Sequence, residues 1–386
     1  MADSNAAQAA IHKLPPQVLS AIASLMDRES LNAITQASKF CREHFCREVF
    51  KAVRFEGSQT LLTGIIWTFL HWRVDPDMVR VREHIRHTTV TILQYTSADI
   101  IPGQGPNWSS PSDIGSRSLV VSALPLCILQ ATQLMENLQS LDLDLRALSP
   151  GQANELTTYL PIGPKWERVS HLNFLAGDDL ILAAVTHCTE GTLKALSINV
   201  DTDSLAYKKA VKTHRGLQRL HVLGTVTDLK RSFGVRAITR AAKSFKSLKW
   251  LAVSCGTREF MNGRPPGDLP DLNNAIRAMV ARIKTLPELE RLSVPMGYSA
   301  VPANFLHGPA AVGQPYLRDQ HLEPWRESLA LQFSNELPHL QQLFMLGSFP
   351  DCAQATREHS GAEAVVMSGD IRTMTQHKSF PCGVFD

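Results

Sequence analysis

The chain has 386 residues, enough to bury a sizeable core in one large repeat array or in two domains. Hydrophobic residues make up 44% of it and charged residues 19%, which excludes a disordered chain, and a formal net charge of +3 is too small to argue for nucleic acid or a membrane surface as partner. Seven scattered cysteines, an odd number at irregular spacing, exclude a disulfide framework and point to a reducing compartment. The first residues carry no basic leader followed by an apolar run, so residues 1–10 are expected to be disordered and not a signal peptide. The most apolar stretch, 61–72, is too short to span a bilayer and reads as a buried amphipathic helix. A soluble protein of the cytoplasm or nucleus is expected.

Residues 11–49 read as three short helices. Leu14-Pro15-Pro16-Gln17-Val18-Leu19 opens the first, with Pro16 near the first turn, where its missing N–H costs nothing. Val18, Leu19, Ile22, Leu25 and Met26 follow at helical spacing. Asp27 is placed to cap a second helix bearing Leu31, Ile34 and Ala37, and a third carries Cys41, Phe45 and Val49 four apart. Cys41 and Cys46 lie near His44, but the spacing fits no standard zinc site, and no metal or cofactor is expected.

The run from Leu14 to Phe55 resembles a fungal-type F-box: the Leu-Pro start, the Val18-Leu19 pair, an Asp-Arg step at the end of the first helix, Ser38-Lys39, and then an apolar strand. It departs from that pattern at Gln17, Ala37 and Cys41. The resemblance implies docking on the Skp-type adaptor of Skp–cullin–F-box ubiquitin ligases, and through it to the cullin. The contacts it implies are Leu14, Pro15, Val18, Leu19, Ile22, Leu25, Leu31, Ala37, Ser38 and Cys41. A plain helical cap on the following domain is the other reading of these helices.

From residue 50 to 350 a pattern apolar-x-x-apolar-x-apolar recurs. It is read at Phe50-Val53-Phe55, Val90-Leu93-Tyr95, Leu138-Leu141-Leu143 and Val169-Leu172-Phe174, then from Leu193, Leu217, Leu248, Leu289 and Leu340. The steps from Val169 to Leu193 to Leu217 are 24 residues each, within the range of leucine-rich repeats, and flanking steps run from 31 to about 50. Glycines follow many copies (Gly57, Gly177, Gly224, Gly256, Gly297, Gly347), suiting a tight turn at positive φ. Helical patterns at 178–189, 203–214, 235–245, 272–286 and 324–337 fill the gaps. The fold class expected is α/β: a three-helix F-box followed by an irregular solenoid of parallel strands with outer helices, resembling a degenerate leucine-rich-repeat horseshoe. An ordinary α/β domain is the alternative. Polar and Gly/Pro-rich stretches at 96–118, 254–270 and 295–324 read as surface loops, and 351–386 as a cap or a partly disordered tail.

On such strands the residues between the patterned apolar chains alternate onto the opposite face. That places Ser140, Asp142 and Asp144, then His171 and Asn173, then Ala195, Ser197 and Asn199 on one surface, followed by Arg219 and His221, by Trp250, Ala252 and Ser254, by Arg291 and Ser293, and by Gln342 and Phe344. An exposed Trp flanked by Arg is the composition of interface anchors, so His171, Asn173, Arg219, His221, Trp250 and Arg291 are the candidates for holding a target protein. Folding of Trp250 into the core is equally open. No phosphate-binding Gly-rich loop, nucleophile elbow or His-Glu-x-x-His is present, and Asp142 with Asp144 lacks a partnering His, so no catalytic residue is assigned. The function expected is substrate recognition for a ubiquitin ligase; a leucine-rich-repeat scaffold without ubiquitin transfer is the alternative.

Overall fold

A computed structural model describes residues 11, 13–71, 76–93, 122–224, 235–255, 269–295, 322–346 and 351–370. The chain is α/β, with mostly parallel strands, and divides into two compact units, Met1–Val169 and Ser170–Asp386.

The first unit begins with α1 (Pro16–Leu25), α2 (Arg28–Ala37) and α3 (Lys39–Val49). Their starts are chemically specified. Val18 and Leu19 N–H groups donate to Pro15 O at 3.0 and 3.1 Å, Asp27 accepts from Ser30 N–H at 2.8 Å, and Ser38 accepts from Cys41 N–H at 3.1 Å. Only Phe50 and Lys51 separate α3 from β1 (Ala52–Gly57). There follow α4 (Gln59–His71), α5 (Pro76–His84), β2 (His87–Ile92), α6 (Leu124–Gln133), β3 (Ser140–Asp144) and α7 (Pro150–Tyr159), the last opened by a capping box between Ser149 and Gln152. The strands β1, β2 and β3 are parallel neighbours.

The register corrects one copy of the repeat. Phe55, Val90 and Leu143 stand in one row and Val53, Thr88 and Leu141 in the next. The copy on β2 is therefore Ile85-Thr88-Val90, not Val90-Leu93-Tyr95. Thr88 hides it from a search for apolar residues: it is buried in an apolar position, and its hydroxyl lies 2.9 Å from Met135 Sδ. Leu93 is exposed, and Tyr95 lies outside the described residues. A second correction concerns α4, which buries Leu62, Ile66, Phe69 and Leu70 but leaves Leu61, Ile65 and Trp67 exposed, so the helix is covered on one side only.

The second unit continues strand and helix in turn: β4 (His171–Leu175), α8 (Asp178–His187), β5 (Ala195–Ile198), α9 (Leu205–Thr213), β6 (Arg219–Gly224), α10 (Val235–Ser244) and β7 (Trp250–Cys255). After these come α11 (Leu269–Ile283), β8 (Arg291–Pro295), α12 (Leu322–Glu336), β9 (Gln342–Leu346), β10 (Asp351–Thr356) and β11 (Val365–Asp370). From β4 to β9 every neighbouring pair is parallel, and β10 and β11 then turn back antiparallel. The stretch 351–370, which shows no repeat, thus extends the sheet. The loop read at 96–118 lies outside the described residues, as do 256–268 and 296–321.

Two features tie the repeats together. Leu172, Leu196, Leu220, Leu251, Leu292 and Leu343 form one continuous row, all fully buried, and each is worth about 1.5–3 kcal/mol in area removed from water. The carbonyl just before each strand also accepts two N–H groups from the next repeat: Lys194 O from Gln218 and Arg219, Gln218 O from Lys249 and Trp250, Lys249 O from Glu290 and Arg291, all at 2.7–3.1 Å. Lys51 O and Arg86 O do the same within the first unit. One backbone device repeated at each step holds the register whatever the spacing between strands.

The glycine expectation needs amending. Gly57 has φ 153°, and a Cβ there would lie 2.8 Å from Leu61 Cδ2. Gly177, in contrast, is the extended N-cap of α8 at φ −71°, where any small residue fits. Gly256, Gly297 and Gly347 lie outside the described residues.

Candidate functional site

The three-helix module sorts the sequence-selected residues into two groups. Leu19, Leu31 and Cys41 join Ala23 and Phe45 in its buried core, with Leu14, Met26, Ile34, Phe40 and Val49 packed around them. These side chains hold the helices to one another. The outward side of α1 is different: Val18 is 41% exposed, Ile22 37% and Leu25 87%. Spaced four and three apart, they form a single apolar stripe, with exposed Pro15 at its head. Ala37 is exposed at the end of α2, and Ser38 is the half-buried cap of α3. The sequence pattern assigned all of Val18, Leu19, Ile22 and Leu25 to one surface, because periodicity shows that a helix has an apolar side without showing that two neighbouring stripes serve different ends.

In the same unit, Arg146 forks onto Asp144 with Nε–Oδ1 2.9 Å and Nη2–Oδ2 2.6 Å, which holds the guanidinium pKa above its ordinary value. This ion pair lines a cleft of about 380 Å³ with Thr91, Ile92, Leu93 and Ala147. Asp144 is therefore committed to a cation, which separates it from the carboxylate pairing with Asp142 that the sequence allows.

In the second unit the strands bring the other candidates into rows. His171, Ala195, Arg219, Trp250, Arg291 and Gln342 stand in one row across β4 to β9. Asn173, Ser197, His221, Ala252, Ser293 and Phe344 stand in the next on the same face. Trp250 is not exposed: 5% of its surface is accessible. Nor does it turn to the leucine row. Its ring lies between the guanidinium carbons of Arg219, 3.9 Å from its centroid, and Arg291, 4.1 Å away, one on each neighbouring strand. It also packs with Ala195, Ala252, Phe344 and Cys352.

Beside this stack runs a buried polar chain. His221 Nδ1 is 3.0 Å from Ser197 Oγ, and its Nε2 is 2.6 Å from Ser254 Oγ. Burial pushes the His221 pKa down to about 4, so the ring is neutral, donating through one nitrogen and accepting through the other. His171 Nδ1 is 2.9 Å from Ser170 Oγ. Asn199 faces the neighbouring repeat rather than a ligand: its Oδ1 accepts from Ala176 N–H at 3.0 Å. The sequence pattern already places Ser197, Ser254 and Gln342 on this face, whereas Gln354 enters it only through the pairing of β10 with β9.

Burial raises the Cys188 thiol to about 12 and the Tyr207 hydroxyl to about 12, away from reactivity near neutral pH. Among the described residues no group of three His, Cys, Asp or Glu side chains is placed to hold a metal ion, and no helix is long and apolar enough to cross a membrane. The chain matches no protein-family model and no curated protein.

Proposed function

We propose that this chain is an F-box substrate-recognition subunit of a Skp–cullin–F-box ubiquitin ligase, binding the adaptor through 11–49 and a target protein through the strand face of the repeats. The observation that carries the proposal is the exposed stripe Val18, Ile22 and Leu25 on a helix whose other side is fully used by the module's core. Apolar side chains aligned on a short surface helix gain about 1.5–3 kcal/mol each when a partner covers them completely. An F-box presents such a helix to its adaptor. The short link from α3 into β1 further suits a device that fixes a target's position.

In this reading ubiquitin transfer is promoted by proximity. The target's lysines are held near the charged conjugating enzyme, and no catalytic residue of this chain takes part. Skp-type adaptor and cullin are the ligase partners, and the target is a protein bound by the face that carries His171, Asn173, Arg219, His221, Trp250 and Arg291.

Co-purification tests the proposal. The intact chain, expressed with a tag in eukaryotic cells, is expected to retain the Skp-type adaptor and cullin, and Leu25→Asp with Val18→Asp is expected to lose both while keeping other bound proteins. Retention of target proteins with no adaptor, in the unaltered chain, would favour a scaffold outside ubiquitin transfer.

A further inference from the structure

Charge is spread unevenly along the chain, and the repeats of the second unit gather the excess on one rim. Residues 190–250 hold thirteen of the 39 Lys and Arg residues but only four of the 36 Asp and Glu residues. The cations recur at equivalent places. Lys212 and Lys243 close the last turns of α9 and α10, each five residues before the leucine (Leu217, Leu248) that leads into the next strand. Arg215 and Lys246 stand two residues before those leucines, and Lys194 and Lys249 directly follow Leu193 and Leu248. The backbone sets these turns side by side. Gly191 N–H donates to Thr213 O at 2.9 Å, Lys194 O accepts from Gln218 and Arg219, and Gln218 O accepts from Lys249 at 2.7 Å. Lys194 Nζ lies 3.6 Å from where a Cβ on Gly216 would stand, next to Arg215.

These side chains are open to solvent and uncompensated. Lys194, Lys208, Lys212, Arg215, Lys243 and Lys246 are exposed, and Lys249 is half-buried. Among the described residues no carboxylate stands within ion-pair distance of any of them; Lys246 Nζ places one donor on Ala242 O at 2.8 Å. The acids of the stretch lie mostly elsewhere. Asp201 and Asp203 precede α9, at the opposite end of that helix from Lys212, and Asp203 is held by Arg236 and Arg240. Asp228 lies outside the described residues, and Glu190 stands at the rim. The helix dipole favours a cation in a last turn, which accounts for Lys212 and Lys243. It does not account for Lys194, Arg215, Lys246 and Lys249, which lie beyond the helices. Like charges held together in this way favour the arrival of a counter-charge.

We propose that this rim docks an extended acidic segment of a partner protein, its carboxylates answering Lys194, Lys212, Arg215, Lys243 and Lys246. The strands β5 and β7 are two spacings apart, about 9.5 Å, and neighbouring helix ends stand about 8–10 Å apart. A segment of roughly six residues at ~3.3 Å each therefore reaches every cation. Lysine predominates, and an ammonium on a flexible stem meets a carboxylate as a point charge, which suits a run of acids without fixed side-chain geometry. A nucleic acid strand would need aromatic side chains to stack on, and Tyr207, Phe245 and Trp250 are buried. A lipid surface would need apolar side chains beside the cations, whereas exposed Leu205 begins α9 at the end away from Lys212. The rim uses none of the residues assigned above to adaptor or target, so the inference stands apart from the ligase reading.

The test is fluorescence polarisation with the full chain and a labelled oligoglutamate of about eight residues, beside oligoglutamine of the same length. Oligoglutamate is expected to bind at least about tenfold more tightly, and to lose that advantage as salt rises from about 0.05 M to about 0.5 M. Lys212→Gln with Lys243→Gln should weaken its binding at least about fivefold. Arg80→Gln with Lys165→Gln removes the same charge from exposed positions in the first unit and should change it less than about twofold. If the first pair lowers the unfolding midpoint, Lys194→Gln with Arg215→Gln, outside the helices, carries the test in its place. Equal binding of the two peptides, or equal losses in the rim and control pairs, overturns the inference. So does tighter binding of a labelled oligothymidylate, or of phosphatidylcholine vesicles with about one-third phosphatidylserine, than of oligoglutamate.

Discussion

His221 and Ser254 share a 2.6 Å contact between neighbouring strands, and the other nitrogen of the same ring reaches Ser197 on the strand beyond. The imidazole thus links three strands while buried and neutral. Its pKa is about 4 in the folded chain against an ordinary value of 6.5. Between those values the unfolded chain binds more protons, so stability rises with pH. The contribution is complete above pH 6.5 and is lost as pH falls toward 4. It amounts to roughly 3 kcal/mol at 1.36 kcal/mol per unit. His84, His87, His214 and His339 are shifted downward too, chiefly by burial, and act in the same direction. Urea unfolding is expected to give a clearly lower midpoint at pH 5 than at pH 7.5, and His221→Gln should flatten part of that dependence. An unchanged dependence in the variant would remove His221 from the account.

The link from Asn199 to Ala176 supplies a second expectation. Asn199→Ala leaves the buried Ala176 N–H without its acceptor and should cost about 1–3 kcal/mol, measured by chemical denaturation. Asn199→Asp keeps an acceptor and should cost less. Equal losses in the two variants would show that the side chain acts by size rather than by this hydrogen bond.

Gly57 closes β1 at a φ that L side chains rarely adopt, with Leu61 where a Cβ would go. Gly57→Ala is expected to destabilise by about 1–3 kcal/mol. Leu61 is exposed, so adding Leu61→Ala should recover the steric share and leave the backbone share. Additive losses across this double-mutant cycle would place the cost in the backbone alone.

Leu19 and Leu25 separate the buried from the exposed side of one helix. Leu19→Ala opens the module's core and should cost about 2–5 kcal/mol, whereas Leu25→Ala, at 87% exposure, should stay within about 0.5 kcal/mol. Thermal unfolding of the two variants checks this directly.

How far these features can be read from sequence depends on the kind of contact. The leucine rows were legible because each strand repeats the same apolar spacing and an alternating face leaves one register. The β2 copy was not, because Thr88 meets its burial requirement by reaching a sulfur, so the pattern breaks although the geometry does not. Residues 351–370 were missed for a related reason: Cys352, Ala353 and Ala355 are buried but small and reverse direction, so no leucine signature marks the strand. Trp250 was placed on the right face, but composition left its exposure and its burial equally open. Its burial arises from Arg219 and Arg291, which lie 31 and 41 residues away along the chain and meet it only through sheet register. The exposed stripe of α1 was legible as a helix face and not as two faces, since Leu19 and Leu25 are the same residue type at helical spacing.

The most direct measurement is calorimetric titration of the purified chain with a purified Skp-type adaptor, beside Val18→Asp with Leu25→Asp and beside Arg219→Gln. The account predicts a stoichiometric complex with the unaltered chain, binding lost in the stripe variant while its unfolding midpoint holds, and binding unchanged in Arg219→Gln. Absence of a complex with the unaltered chain, or a complex that survives the two aspartates on α1, would contradict it.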